Sequence, residues 1–400
     1  MNPTKLRSYL LFFAALLFGL ASGHAAELTL SNLTQTYNGE PREVTVETNP
    51  PGVSVIVDYD GNAAPPTTPA PTNAGTYSVI AFAVAAYVVM DGFDLGIGIL
   101  FPFFRVGRER DQAMNAIAPV WDGNETWLVL GGGGLLAAFP LAYAVILPAL
   151  YAPLIAMLLG LIFRGVAFEF RWRDAGHRKY WDAGFCLGSI VATLAQGITL
   201  GALLQGIEVE GRAYAGGWWD WLTPFSLLVG ASLCVGYALL GAAWLIWKTE
   251  GAIQADARRF ARPLTAALLL AIGAVSLYTP YVEPKYMHRW FDWPGLLLSA
   301  FMPLAVGATT LALWWAIRWR KDWLPFVLTL GLFLLSMAGL AISIWPDVIP
   351  GRVSIWEAAA PYESQLFMLV GAAVLVPVIL AYTAWAYWVF RGKVGEDGYH

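Results

Sequence analysis

Beyond Tyr77 the apolar residues of this chain come in long, nearly continuous blocks rather than in the alternation of a surface strand or the stripe of a surface helix. Nine blocks are legible, at about 79–104, 126–147, 149–170, 182–206, 224–247, 262–281, 294–317, 323–345 and 364–390. Each is long enough to cross about 30 Å of hydrocarbon as an α-helix. The links between them are short. Trp and Tyr gather at their edges, as in Trp172 and Trp181, Trp218 and Trp219, Trp290 and Trp293, and Trp319 and Trp323, the pattern of interfacial aromatic belts. The expectation is an all-α polytopic membrane protein of about nine transmembrane helices.

The first 77 residues follow other rules. Lys5 and Arg7 precede an apolar core from Tyr9 to Leu20 and then small residues. This reads as a signal peptide over 1–26, cleaved after Ala25 or Ala26, with an uncleaved anchor helix as the alternative. From Glu27 to Tyr77 the chain is polar and punctuated by Asn38-Gly39, Pro50-Pro51-Gly52, Asp60-Gly61 and a Pro-rich run from Pro65 to Pro71. Glu43–Glu47 and Val53–Val57 alternate with period two, as strands between turns do. A short β-sandwich-like module over 27–77 is expected in front of the helical domain (78–392) and a short tail (393–400). One conflict arises at the junction. Gly75–Ile80 would serve as the module's last strand, yet the first membrane helix wants the same residues, and backbone in lipid must close its hydrogen bonds within a helix. Either the module lacks that strand or the helix starts near Ala81.

Composition supports the membrane reading. Hydrophobic residues make up 58% of the chain and charged residues 13%, with a mean hydropathy of +0.57; a soluble domain carries about 25% charge. The net charge of -4 gives no sign of a nucleic-acid partner. Charge placement adds direction. Arg105, Arg108 and Arg110 follow the first block, and Arg171, Arg173, Arg178 and Lys179 the third. Lys248, Arg258, Arg259 and Arg262 attend the fifth, Arg318, Arg320 and Lys321 the seventh, and Arg391 and Lys393 the last. The opposite links hold only Arg212, Lys285, Arg289 and Arg352. Sixteen against four predicts a cytoplasmic C-terminus and an exported N-terminus.

Acids inside apolar blocks are costly, at about 2.5–3.5 kcal/mol each near the bilayer centre on insertion scales. The first block contains DGFDLGIG, which places Asp91 and Asp94 three apart on one helix face, beside the small pair Gly92 and Gly96 that lets another helix approach. A proton relay or cation site is one reading; acids capped near the cytoplasmic end, by neighbouring donors or by Arg105, is the other. A second cluster, APVWDGNETW, holds Asp122, Asn124 and Glu125 before the second block and runs on to Gly131–Gly134. It reads equally as a proton entrance or as the first turn of a helix whose dipole favours acids. The glycine run reads as a tight packing surface, because no Lys-Ser/Thr follows it to make a phosphate loop. Arg164 lies inside the third block, either snorkelling to the interface or paired with a buried acid. Glu169 is expected at the interface.

Cys186 and Cys234 fall in apolar blocks without metal-ligand spacing, and are expected as free thiols. His24, His177, His288 and His400 all lie outside the blocks. A membrane-buried haem usually takes an axial His, so no haem bound through this chain's own histidines is expected, and no metal site.

The stretch from DGFDLGIG through APVWDGNETW to RGVAFEFR resembles subunit II of cytochrome bd-type quinol oxidases, and the RGVAFEFR wording is similar to the cyanide-insensitive branch. The likeness extends over about 81–390, ending in ILAYTAWAYW. The resemblance implies a haem-free, nine-helix subunit that stabilises a partner, subunit I. That partner carries haems b and d, the quinol-oxidising loop and the oxygen-reducing centre. The resemblance further implies that Asp91 and Asp122 lie on a proton pathway from the cytoplasm, with Asp94, Glu125 and Arg164 in support, and that quinol and oxygen react through the complex. A structural quinone or lipid is compatible with it. The residues TYNGEP, NPPGVSVIVDYDG and NAGTYSV resemble bacterial Ig-like repeats of the MBG type. Without the resemblance, a proton-coupled secondary transporter using Asp91 and Asp94 is the alternative, although no broken-helix pair stands at matching positions of two halves.

Overall fold

A computed structural model describes residues 27–31, 45–49, 74–293 and 295–394 of this chain. The expected signal peptide, the expected strand Val53–Val57, His24, His400 and the last six residues of the tail lie outside the described residues. In front of the helices, β1 (Glu27–Ser31) and β2 (Thr45–Asn49) pair antiparallel, with Glu27 opposite Asn49. The second of these overlaps the expected strand Glu43–Glu47.

The helical domain begins with α1 (Ala74–Leu100). Gly75–Ile80 are therefore helix and form no strand, and the expected helix start near Ala81 is corrected. After a short α2 (Arg108–Asn115) come α3 (Trp121–Ala138), α4 (Pro140–Ala149), α5 (Tyr151–Arg173) and α6 (Arg178–Leu204). A two-residue-strand hairpin, β3 (Val209–Glu210) and β4 (Ala213–Tyr214), leads to α7 (Pro224–Lys248), α8 (Gly251–Val282), α9 (Pro284–Phe291), α10 (Gly295–Arg318) and α11 (Leu324–Ile344). A second hairpin, β5 (Asp347–Ile349) and β6 (Val353–Ser354), passes through the single turn of α12 (Ile355–Ala358) into α13 (Tyr362–Val389).

Eight of these helices are long and apolar enough to cross a membrane: α1, α5, α6, α7, α8, α10, α11 and α13. The ninth expected span, about 126–147, is two helices instead of one. Phe139 leaves the helical region (φ -132°, ψ 63°) and Pro140, which has no N–H to continue the ladder, starts the second piece. The carbonyl of Ala138 is satisfied from elsewhere, by the Ala360 N–H at 2.8 Å. The 18 residues of α3 extend about 27 Å, close to the hydrocarbon thickness.

Helices in lipid gain little from burying apolar surface against each other, so close packing has to come from small residues. Three crossings are built on glycine. A Cβ on Gly96 of α1 would run into the Tyr237 carbonyl of α7 and come within 2.9 Å of the Gly241 N, and one on Gly241 would meet the Gly96 backbone in return. Gly160 of α5 and Gly188 of α6 each lack room for a Cβ against the other's carbonyl, at 2.8 and 2.6 Å. Gly197 of α6 meets Gly230 of α7. Around these contacts Phe93, Tyr237, Trp244, Phe185 and Phe326 form the main core. The expected packing surface at Gly131–Gly134 is realised only in part. Gly134 faces Ile80 at 3.2 Å, whereas Gly132 and Gly133 look into open space.

The basic links meet at one end of the bundle. Arg110 and Arg171 share Asp182, Gln112 reaches Val394, and Lys393 reaches Asp322 beside Arg258. Asp322 is half-buried, which opposes ionisation. The Lys393 hydrogen bond and the charges of Lys393 and Arg258 outweigh that and hold its carboxyl below the usual range. At the other end Tyr286 donates to the Leu204 carbonyl at 3.0 Å, Lys285 pairs with Asp347, and Thr223 bonds Gln205.

The glycine crossings yield a prediction. Gly96→Val should destabilise the chain by at least the ~1–3 kcal/mol typical of overpacking, because the obstructing atoms are backbone and cannot move aside. Gly132→Val, with open space around it, should leave the stability of the isolated chain unchanged. Thermal unfolding midpoints of the two variants in detergent decide it, and equal midpoints would refute the crossing.

Candidate functional site

The acids of DGFDLGIG do not sit at the helix end. Asp91 and Asp94 are nine and six residues before the end of α1, and both are fully buried at 0% exposure. Arg164 is nine residues before the end of α5, and it too is at 0%. Its Nη1 lies 2.5 Å from Glu125 Oε1 on α3 and 3.7 Å from Asp91 Oδ1 on α1. Snorkelling is therefore not what Arg164 does. It points inward and joins three helices through charge. Gly188 makes this possible, since a Cβ there would sit 2.8 Å from the Arg164 backbone N. Aromatic rings of Trp121 and Phe185 flank the guanidinium, 5.8 and 6.0 Å from its carbon.

Asp94 is held separately. Asn124 Nδ2 donates to Asp94 Oδ2 at 2.8 Å and to the Met90 carbonyl at 3.2 Å, while Asn124 Oδ1 accepts from the Tyr387 hydroxyl of α13 at 3.0 Å. A further polar chain runs from α1 across α6 to α7. Gln196 Nε2 donates to the Tyr87 hydroxyl at 2.7 Å, and the Tyr237 hydroxyl donates to Gln196 Oε1 at 3.1 Å. Several buried polar atoms keep no hydrogen-bond partner: both carboxyl oxygens of Asp91, Asp94 Oδ1, and Nε and Nη2 of Arg164. Buried polar atoms are normally satisfied, so this is a place where polar groups have been gathered at a cost. Two carboxyl groups pair with the one guanidinium, and a third, Asp94, is held beside them by Asn124.

The structure thus brings Asp91, Asp94, Glu125 and Arg164 into one cluster. Asp122 stands apart from it, exposed on the first turn of α3. It shares a helix face with Thr126, Val129, Gly132, Gly133 and Leu136, all exposed. Glu125, one turn from Asp122, is a quarter exposed and bridges this outer face and the buried guanidinium. Glu169 is exposed near the end of α5, as expected.

Residues that sequence reasoning passed over complete the picture. Tyr387, Gln196, Tyr87 and Tyr237 look like ordinary members of apolar blocks, and only the packing shows their hydroxyl and amide ends converging. At the basic end, Arg171 (1% exposed) bonds Asp182 at 2.5 Å and Asp111 at 2.6 Å, and Arg110 bonds Asp182 at 2.6 Å. The signal was present in the acids Asp111 and Asp182, which interrupt otherwise basic links. Cys186 is buried and Cys234 half-buried, and neither is in a disulfide. No group of three His, Cys, Asp or Glu able to hold a metal is found among the described residues.

Comparison with known proteins places this geometry. Residues 74–390 match the family model of cytochrome bd terminal oxidase subunit II, and residues 26–86 match that of the MBG domain, so the two overlap over 74–86. Cytochrome bd-I ubiquinol oxidase subunit 2 of Escherichia coli K12 is 31% identical over 359 residues, covering 78% of this chain and 92% of that protein. Cytochrome bd ubiquinol oxidase subunit 2 of Bacillus subtilis is 28% identical over 340 residues, covering 80% and 96%. Among solved structures, a chain of the bd oxidase from Geobacillus thermodenitrificans aligns with a TM-score of 0.66 at 17% identity, over 80% of this chain and 98% of its own length. That last likeness is one of fold.

The three-helix charge cluster should be strongly coupled. Arg164→Met alone leaves buried carboxylates without a counter-ion and should cost about 3–5 kcal/mol. In an Asp91→Asn, Glu125→Gln background the same change should cost clearly less. Denaturation midpoints of the four proteins test this, and additive losses would show that Arg164 does not pair with these acids.

Proposed function

The chain belongs to the cytochrome bd terminal oxidase subunit II family, and from that premise we propose that it is the haem-free partner of a haem-bearing subunit I and lines part of a proton route from the cytoplasm. It is a multi-pass subunit of a membrane-embedded oxidoreductase complex, as its relatives are. In the proposed complex, electrons pass from quinol through haems b and d of subunit I to oxygen. Among the described residues, neither histidine is placed to ligate a haem. His177 and His288 are exposed, outside the spans, and bonded to Asp174 and Asp292. What the chain supplies instead is a rigid flank and a set of proton-holding side chains. The family membership leaves the proton-coupled transporter reading without support.

The observation that carries the proton role is the succession of acids from the bundle interior to its surface. Asp91 faces Arg164, Arg164 faces Glu125, and one turn along α3 from Glu125 Asp122 stands on an exposed face. That face includes Gly132 and Gly133, which have open space beside them. Small residues on an exposed membrane helix suit the close approach of another helix. Subunit I docked there would lie against α3, where Asp122 takes up the cytoplasmic proton ahead of Asp91. The exposed apolar side of α13, with Phe367, Val370 and Val374, extends the same kind of surface. A structural quinone or lipid is a further expectation to which no residue is assigned.

Orientation follows from charge. The end where the sixteen basic residues collect is taken as cytoplasmic, with the N-terminus exported and residues 393–400 as a cytoplasmic tail. Residues 1–26 are proposed as a signal peptide and 27–77 as an MBG-like module, incomplete because α1 takes the residues of its last strand, ahead of the oxidase domain at 78–392.

Affinity purification of this chain in mild detergent, with subunit I expressed alongside, should bring down a haem-bearing membrane protein with a reduced-minus-oxidised haem spectrum. A haem-free chain purifying alone would sink the assembly reading. In the assembled complex, Asp122→Asn should slow oxygen reduction or disturb the haem spectrum. Unchanged turnover and spectrum would remove Asp122 from the route.

A further inference from the structure

The end of α13 does not run out into solvent. After the helix closes at Phe390 the chain turns back across the basic end of the bundle. Lys248, the last residue of α7 and only 6% exposed, donates through Nζ to the Phe390 carbonyl at 2.5 Å and to the Gly392 carbonyl at 3.0 Å. Its own carbonyl accepts from the Val394 N–H at 2.7 Å. Gln112 of α2 donates to the Val394 carbonyl at 2.9 Å, and Val394 is 4% exposed. Lys393 adds ion pairs to Asp322 at 2.7 Å and to Glu250 at 3.6 Å. Residues 390–394 therefore form a strap bonded to α2, α7 and the α10–α11 link.

Under the strap lies Tyr387, three residues before Phe390, with its ring 6.0 Å from that of Trp244. The Trp244 indole in turn donates to the Ala116 carbonyl at 3.0 Å. The Tyr387 hydroxyl donates to Asn124 Oδ1, and Asn124 Nδ2 donates to Asp94. We propose that the C-terminal strap, through Lys248 and Tyr387, is a positioning device that sets the orientation of the Asn124 amide and thereby the presentation of the Asp94 carboxyl.

The hydrogen bonds have a direction that permits only one arrangement. Asn124 has a donor end and an acceptor end. The donor end serves two acceptors, Asp94 Oδ2 and the Met90 carbonyl. A flipped amide would bring its oxygen against both. The Met90 carbonyl, which can only accept, fixes which end of the amide is the donor, and the Tyr387 hydroxyl donates to the oxygen end and anchors the amide in the orientation that clamps Asp94. With one carboxyl oxygen held, the other, Oδ1, stays buried and unbonded. It is the atom free to take or release a proton. The amide itself cannot relay a proton as a hydroxyl or water does, so the chain from Tyr387 to Asp94 holds a group in place and does not conduct.

The inference rests on the proton-route reading for this cluster, and the test separates the two. In the purified two-subunit complex, Tyr387→Phe keeps the ring and removes only the hydroxyl. It should lower quinol oxidase kcat about three- to tenfold, the size of one lost hydrogen bond, with KM for quinol and the haem spectrum unchanged. Combined with Asn124→Ala it should add nothing to the loss from Asn124→Ala alone. Lys248→Met should act in the same direction and Lys248→Arg should restore turnover. Wild-type kcat in Tyr387→Phe, or losses that multiply in the double variant, would overturn the positioning role. If Asp94→Asn is slow while Tyr387→Phe is normal, the strap alone fails. A normal Asp94→Asn variant would overturn both the strap and the place of Asp94 in the route.

Discussion

A guanidinium buried among carboxyl groups within a membrane-spanning bundle is the constraint around which the rest of this structure is arranged. Arg164 cannot be moved to water without giving up Glu125 and Asp91, and those acids cannot remain buried without it. Placing one cation on α5 within reach of acids on α1 and α3 demands that three helices come close at the same depth. The glycine crossings provide that closeness. Gly188 admits the Arg164 backbone, Gly160 draws α5 onto α6, and Gly96 draws α1 onto α7. The polar site and the small-residue packing are two aspects of one arrangement, since large residues at the crossings would separate the charges they now bring together.

The parts of the fold governed by a single long-range rule were legible in the sequence. Hydrocarbon thickness sets helix length, and eight of the nine expected blocks are spanning helices. The ninth failed where a local rule overrides it. Pro140 ends the N–H ladder, and a carbonyl freed by that break is tolerable only because Ala360 comes from a distant part of the chain to bond it. No window of local sequence contains that partner. The junction at Gly75–Ile80 was legible as a conflict and not as an outcome. Both families' patterns claim those residues, and the helix prevails there.

The candidate site divides in the same way. Asp91, Asp94, Glu125 and Arg164 announced themselves because a charge in an apolar block is expensive whatever surrounds it. Pairing of Arg164 with a buried acid stood as one of two readings, but which acids could not be read, since spacing along one helix says nothing of which neighbour faces it. Tyr387, Gln196 and Lys248 gave no signal at all. A tyrosine or a terminal lysine is ordinary at a membrane interface, and its significance comes entirely from the atom at its far end. Arg171 was read as a residue of a basic link, yet it lies in the last turn of α5, is 1% exposed and is locked to Asp182 and Asp111. A count of positive charges records orientation and does not distinguish a solvated charge from a structural one.

That distinction bears on how the basic end works as a whole. Charges gathered there also serve as fasteners. Arg110 and Arg171 tie the first link to the third, while Lys248, Arg258 and Lys393 tie the fifth and seventh links to the chain end. The end of the bundle nearest the buried acids is thus heavily cross-linked, and the exposed face of α3 opens beside it. The proposed proton-holding role would benefit from such a setting. Its groups must keep their geometry through each change of charge, and neighbouring helices held at their ends cannot drift apart when one carboxyl gains or loses a proton.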